Sequence, residues 1–298
     1  MAPSQVHLFG VPSDDGGGRP GAAAGPAAVR AAGLCSNPSI IDCGDVVPTG
    51  YPRGATPEER AIRVIEVCET LRTHVCEAVL SGAVPLALGG DHSLAAGSLA
   101  GVAAACRERG VDIPAVIWLD AHVDMNTHES SPSGNLHGMP ACALLGYDIV
   151  GFNVIIDGAY YDRNRWAFIG QRDIDPGEQR RLDNEGYLNA SSEALHRGDP
   201  AAMAGKIIDQ IAPDGAPFIL SLDVDVIDPL HAPGVDTPVD GGLSREMIFA
   251  IIERLAQHGN MVAMDLVEVN PLHDNASQTA EIAVALTQVA LRGARPLF

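Results

Sequence analysis

Asp120, His122 and Asp124 stand at alternate positions directly after an apolar run, PAVIWL (114–119). On extended backbone, residues i, i+2 and i+4 share one face, so all three side chains leave the end of a buried strand in the same direction. Two other apolar runs end alike: VPLALGG runs into Asp91-His92-Ser93, and PFILSL into Asp223, Asp225 and Asp228. In open α/β sheets, sites collect at the carboxyl ends of strands. Three strand ends offering only Asp and His are a metal-binding pattern, with His92, Asp120, His122, Asp124, Asp223 and Asp225 as candidate ligands.

Six ligands are too many for one zinc that keeps an open position. Four carboxylates held close together repel one another unless cations neutralise them. Two divalent ions cancel that charge, and such a pair bridges at about 3.5–4 Å. Oxygen ligands with two imidazoles and no thiolate suit Mn²⁺ better than structural zinc, although Fe²⁺, Co²⁺ or Zn²⁺ fits the same cage. Beyond the triplet runs a polar loop with Asn126, Ser131, Ser133 and Asn135, closed by His137-Gly138. The first half reads as a metal floor and the second as a substrate rim.

The elements that must carry these residues alternate between strand and helix. QVHLFGV (5–11) reads as a first strand, followed by a helix opening at Pro26 and stopped at Gly33. A second strand, SIIDCGD, carries Asp42. Residues 56–81 give the clearest helix: Thr56 caps, Pro57 follows, Glu59 completes a capping box, and apolar residues recur every three or four positions. Further strands are expected at VPLALGG, 115–119, WAFIG, PFILSLDVDVIDP and MVAMDLVEVNP, the last carrying Glu268. Helices are expected at 93–109, from the Asp199 cap to Ile211, from Ser244 to Gln257 and from Ser277 to Leu291. Residues 147–165 give no clear pattern. Alternation of this kind predicts one α/β domain over 1–298, a mostly parallel sheet covered on both faces in three α-β-α layers.

The 298 residues are 46% hydrophobic and carry a formal net charge of -19. That charge opposes binding to nucleic acid or an anionic membrane and suits a small cation or a divalent metal. No run of about 18 apolar residues predicts a membrane span. The N-terminus lacks the pattern of a secretory signal, so a cytoplasmic protein is expected. Six cysteines without a C-x-x-C pair read as mostly buried, reduced thiols.

Gly16, Gly18 and Gly21 match G-x-G-x-x-G, with Asp42 about 20 residues on, as a dinucleotide site requires. Against an oxidoreductase reading, the first glycine comes five positions after the end of the strand. Asp14 and Asp15 would also stand where a pyrophosphate must approach, and six metal-type ligands would be left without a role.

The segments GGDHS (89–93), DAHVDMNT (120–127), SGNLHGMP (133–140), RDIDPGE (172–178), SLDVDVIDP (221–229) and MDLVEVNP (264–271) resemble the successive signatures of the arginase branch of the ureohydrolases. They occur in that family's order, and PGAAAGPAAVRAAGL (20–34) is similar too. The resemblance implies a single α/β domain with a parallel sheet of about eight strands. It implies one Mn²⁺ held by His92, Asp120, Asp124 and Asp223, and a second held by Asp120, His122, Asp223 and Asp225, so that Asp120 and Asp223 bridge.

The chemistry so implied is amidine hydrolysis: hydroxide shared by the two ions attacks a guanidinium carbon, and L-arginine yields L-ornithine and urea. Glu268 matches the residue that pairs with the guanidinium, Asp124 relays a proton to the departing amine, and His137 shuttles protons to solvent. Asn126, Ser133 and Asn135 match positions that receive an amino acid's carboxylate, with Ser131 a further substrate-binding residue of the same rim. Asp175, assisted by Glu178, matches the acceptor for its α-ammonium, and Thr237 lies at the same pocket.

Asp236 stands where arginases usually show a small residue, and is expected to be a solvated loop residue. With the unusual HESSP (128–132), it admits a modified arginine or another guanidino acid; a related ureohydrolase reading takes agmatine, guanidinobutyrate or the formimino compound formiminoglutamate. A non-enzyme reading is a metal-bound scaffold that has lost catalysis, against which every expected ligand and Glu268 are present. The resemblance also implies a homotrimer or homohexamer, with Arg245-Glu246 similar to a subunit-contact pair.

Overall fold

Strand β1 (Val6–Val11) lies inside the sheet because both its faces are apolar, with Val6 and Leu8 packed to one side and Phe9 and Val11 to the other. The computed structural model describes residues 4–49 and 56–298. Helix α1 (Gly25–Ala31) carries Pro26 in its first turn, and β2 (Ile40–Asp45) follows. Helix α2 (Pro57–Leu80) starts with both hydrogen bonds of the Thr56–Glu59 capping box, a device that stabilises a helix start by about 1 kcal/mol. Next come β3 (Val84–Gly89), α3 (Ala95–Arg109) and β4 (Ala115–Leu119).

The stretch without a clear sequence pattern holds α5 (Phe152–Ile156), after the short α4 (Pro140–Leu144). Strand β5 (Trp166–Ile169) leads to α6 (Pro176–Glu185), β6 (Leu188–Ala190), α7 (Ser192–Arg197) and α8 (Pro200–Ile211). The chain continues with β7 (Phe218–Asp223), α9 (Arg245–His258), β8 (Met261–Val267) and α10 (Gln278–Ala290).

The strands form one eight-stranded sheet in the order β2-β1-β3-β8-β7-β4-β5-β6. Every paired neighbour is parallel. Alternation along the central strands fills a core on each face. In β4, Val116 and Trp118 join the layer under α2 to α5, while Ala115, Ile117 and Leu119 join the layer under α8 to α10. Because β3, β8, β7 and β4 are consecutive in the sheet, the segments leaving their carboxyl ends meet above its middle.

Two expectations are corrected. Asp236 is not a solvated loop residue; only 1% of it is exposed. The cysteines are all free, but Cys35, in the turn before β2, and Cys43, on that exposed edge strand, face solvent. No helix among the described residues is long and apolar enough to cross a membrane.

Candidate active site

The turn after β4 holds Asp120 by two donors. Trp118 Nε1 donates to one carboxylate oxygen at 2.9 Å and the His122 N–H to the other at 2.6 Å. The Trp118 ring also stacks on the His92 imidazole, with centroids 4.1 Å apart. Asp223 caps its own turn by accepting the Asp225 N–H at 2.8 Å. Asp225 accepts the Ala121 N–H at 3.1 Å and the Thr237 hydroxyl at 3.0 Å. Asp120 and Asp223 are therefore aimed by bonds within their own strand ends, and Asp225 by the neighbouring end of β4 and by Thr237.

These side chains converge. His92, Asp120 and Asp223 form one group and Asp120, His122 and Asp225 a second, each with its ligand atoms within 4.8 Å of one another. Asp120 is common to both, whereas Asp223 belongs to the first alone. His92 Nδ1 lies 3.2 Å from Asp120, 3.0 Å from Asp124 and 3.3 Å from Asp223, yet it is buried and makes no hydrogen bond. His122 Nδ1 lies 3.0 Å from Asp225.

The other ring nitrogen of His92 shows what this arrangement is for. Nε2 is 2.9 Å from the Ser221 hydroxyl, and that hydroxyl is directed to Asp265, its cross-strand neighbour. A neutral His92 that donates Nε2–H to Ser221 has its Nδ1 lone pair free for a cation where three carboxylates converge; without one, the raised pKa puts a proton there. Lone pairs and anions gathered on one point, without a donor between them, fit a cation. The electrostatics agree. Burial alone would push the His92 pKa down, but Asp120, Asp124 and Asp223 drive it well above the usual range. Burial and the neighbouring Asp225 and Asp120 drive the Asp223 pKa far up. A well of negative charge this deep takes up protons or divalent ions.

Beside the cage, Asp124 and Glu268 both have backbone in the left-handed region, at φ 50 and 66. Such a conformation costs a non-glycine residue about 1–2 kcal/mol, and both residues line the cavity beyond their strand ends. Glu268 is held by its own N–H on Gly90 O at 2.8 Å. Its Oε1 accepts the His92 N–H at 2.9 Å and stands 3.1 Å from His137 Nδ1, while Oε2 is buried and without a partner. Burial opposes a charge on His137, but the hydrogen bond and charge of Glu268 raise its pKa to about 9.

The cavity above measures about 310 Å³, within the range of small-molecule sites. Asn126, Ser131, Ser133, Asn135, Asp175, Glu178 and Thr237 all line it, together with Asp124, His137 and Glu268. Several of these residues already serve the rim itself. Asn126 donates to Asp175 at 2.8 Å and accepts from Ser130. Glu178 closes a capping box with Asp175 and accepts the Met125 N–H, so both its oxygens are taken by backbone. Burial raises its pKa to about 8. Sequence reasoning missed Trp118, Ser221 and Asp265. Only Trp118, two residues before Asp120 on an extended chain, left a signal that could have been read.

The glycine run has a steric reason. A methyl on Gly16 would lie 2.5 Å from Asp91 Oδ1, and one on Gly18 would lie 2.8 Å from Asn135 Nδ2. Glycines let this loop pass against the rim, and α1 begins only at Gly25.

The description "Arginase family" matches residues 4–292. The chain belongs to the arginase family. It is a hydrolase of the arginase type, acting on a C–N bond of a linear amidine. Arginase from Brevibacillus brevis is 38% identical over 292 residues, which cover 94% of this chain and 95% of that one. The solved arginase from Bacillus caldovelox superposes with a TM-score of 0.87 at 35% identity, covering 97% of this chain and 98% of that one. Proclavaminate amidino hydrolase from Streptomyces clavuligerus is more distant, with a TM-score of 0.75 at 26% identity, covering 98% and 92% of the two chains. The single parallel eight-stranded sheet is the fold that the family resemblance implied.

Proposed function

We propose that this chain hydrolyses L-arginine to L-ornithine and urea, using two Mn²⁺ ions per subunit. The observation that carries the reading is Glu268 Oε2, a buried carboxylate oxygen without a partner, set beside two convergent ligand groups. Among the described residues, the cavity wall contains several carboxylates and no lysine or arginine, so it favours a cationic substrate.

His92, Asp120, Asp124 and Asp223 would hold one ion, and Asp120, His122, Asp223 and Asp225 the other. When bound, the pair supplies a water nucleophile whose pKa is brought toward about 7. Glu268 Oε2 receives the guanidinium and fixes the plane of its carbon. Asp124, lining the cavity, passes a proton to the departing amine. His137 carries protons between this site and solvent, its raised pKa keeping a proton available. At the rim, Asn126, Ser131, Ser133 and Asn135 receive the α-carboxylate through neutral groups, and Asp175 receives the α-ammonium. Glu178 acts by holding Asp175, and Thr237 by holding Asp225. We also propose a cytoplasmic homotrimer or homohexamer, on the family resemblance and the surface pair Arg245-Glu246; a monomer by sedimentation would contradict the assembly.

A panel of guanidino compounds tests the substrate, with urea as the readout. The compounds are L-arginine, hydroxy-arginine, agmatine and 4-guanidinobutyrate, with formiminoglutamate followed by formamide release. Preference for L-arginine supports the assignment of Asn126, Ser133 and Asp175. Preference for a compound without the α-amino acid group keeps Glu268 and the cage but overturns the rim.

A further inference from the structure

Asp236 departs from the family pattern, and its surroundings are unusual for a carboxylate. It is 1% exposed; Oδ1 accepts from Asn270 Nδ2, and Oδ2 is buried with no hydrogen-bond partner. The segment is fixed on both sides: Val235 bridges Val269, the residue after Glu268, and Thr237 bonds Asp225. Above Gly17 there is a gap one methyl group wide, and a carbon placed there would lie 3.6 Å from Asp236 Oδ2 and 3.8 Å from His137 Nδ1. The free oxygen of Asp236 and the proton-bearing side of His137 thus flank the same small space.

Charge balance gives that oxygen a role, on the reading that Glu268 holds a guanidinium. Without substrate, Glu268 pairs with one cationic group, His137, at 3.1 Å, besides accepting the neutral His92 N–H. With substrate, two cations, the guanidinium and the His137 imidazolium, share this one anion. We infer that Asp236 is a positioning residue that supplies the second negative charge, holding the proton on His137 while Glu268 is engaged by substrate. The other charged groups facing His137 are Asp91, at the end of β3, and Asp124, after β4, with Asp14 behind Asp236. Asp91 is enclosed by the Gly16 N–H and by Ser93, and Asp124 belongs to the metal cage. Of these, Asp236 alone has a buried oxygen with no hydrogen bond and lies outside the metal cage.

The test compares wild type with D236N and with D236G, which restores the small residue usual at this position. Histidine NMR on Zn²⁺-loaded protein follows the His137 titration with and without guanidinium chloride, and needs no turnover. Removing a nearby carboxylate lowers an imidazole pKa. The expected result is a downward shift of about one pH unit, a tenfold change, with guanidinium present, and a smaller shift without it. In the Mn²⁺-loaded enzyme, the alkaline limb of kcat then moves down further than that of kcat/KM. A His137 midpoint that is the same in wild type and both variants overturns the inference, as does an equal shift with and without guanidinium. If wild type shows the shift pattern but makes no urea from any guanidino compound, the proposed function fails and the charge relation stands.

Discussion

His137 Nδ1 lies 3.1 Å from Glu268 Oε1, an oxygen that also accepts the backbone N–H of His92 at 2.9 Å. One carboxylate therefore ties the candidate proton carrier to the backbone of a candidate metal ligand, leaving its second oxygen for substrate.

Replacing His137 with Asn should lower kcat by about 10²–10⁴, the usual worth of a positioned proton carrier. The bond to Glu268 raises the folded pKa to about 9. The imidazolium is thus present below that pH and lost above it, and its contribution to stability is lost over the same rise. The wild-type rate should fall with a midpoint near 9, and that limb should vanish in the variant when kcat is measured from pH 6 to 11.

Glu268→Gln keeps the shape and removes the charge. It should reduce kcat/KM by about 10²–10³, since a buried charge-assisted pair is worth a few kcal/mol. Thermal unfolding should change little. Retention of wild-type kcat/KM would place the guanidinium elsewhere.

Trp118→Phe removes the indole N–H on Asp120 but retains a ring against His92. Bonds of this kind to metal ligands typically govern about 10–100-fold in affinity. Calorimetric titration with Mn²⁺ should show a loss in that range, while the far-UV spectrum stays as in wild type.

Asp265 carries the pH dependence of the back of the site. Burial raises its pKa to about 6, against the hydroxyls of Ser98 and Ser221 that hold it down. Folding therefore takes up a proton: the contribution to stability is complete below about 3.8 and lost as the pH rises through 6. The ionised form costs about 3 kcal/mol at pH 8. In EDTA-treated protein, Asp265→Asn should gain stability relative to wild type between pH 4.5 and 8. A constant difference across that range would show that Asp265 does not carry the effect.

Much of this was legible in the sequence because it rests on local rules. Period-two spacing put Asp120, His122 and Asp124 on one side of a strand, and capping chemistry fixed the start of α2 at Thr56. Relations that depend on sheet order were not legible. Ser221 and Asp265 lie far apart in the chain and meet only because β7 and β8 are neighbours. The same holds for Asp236, whose loop composition suggests solvent. Its burial comes from Asn270 and the glycine segment closing over it. Helix α6 escaped notice because its residues are mostly polar, and its start is set by the Asp175–Glu178 capping box beside the cavity.

The most direct test of the account is the rate of urea release from L-arginine, measured as Mn²⁺ is titrated into metal-stripped protein. The cage predicts no release without metal and a rate that rises until two equivalents per chain are bound, then levels. Urea production that is indifferent to metal, or complete at one equivalent, would contradict the binuclear site.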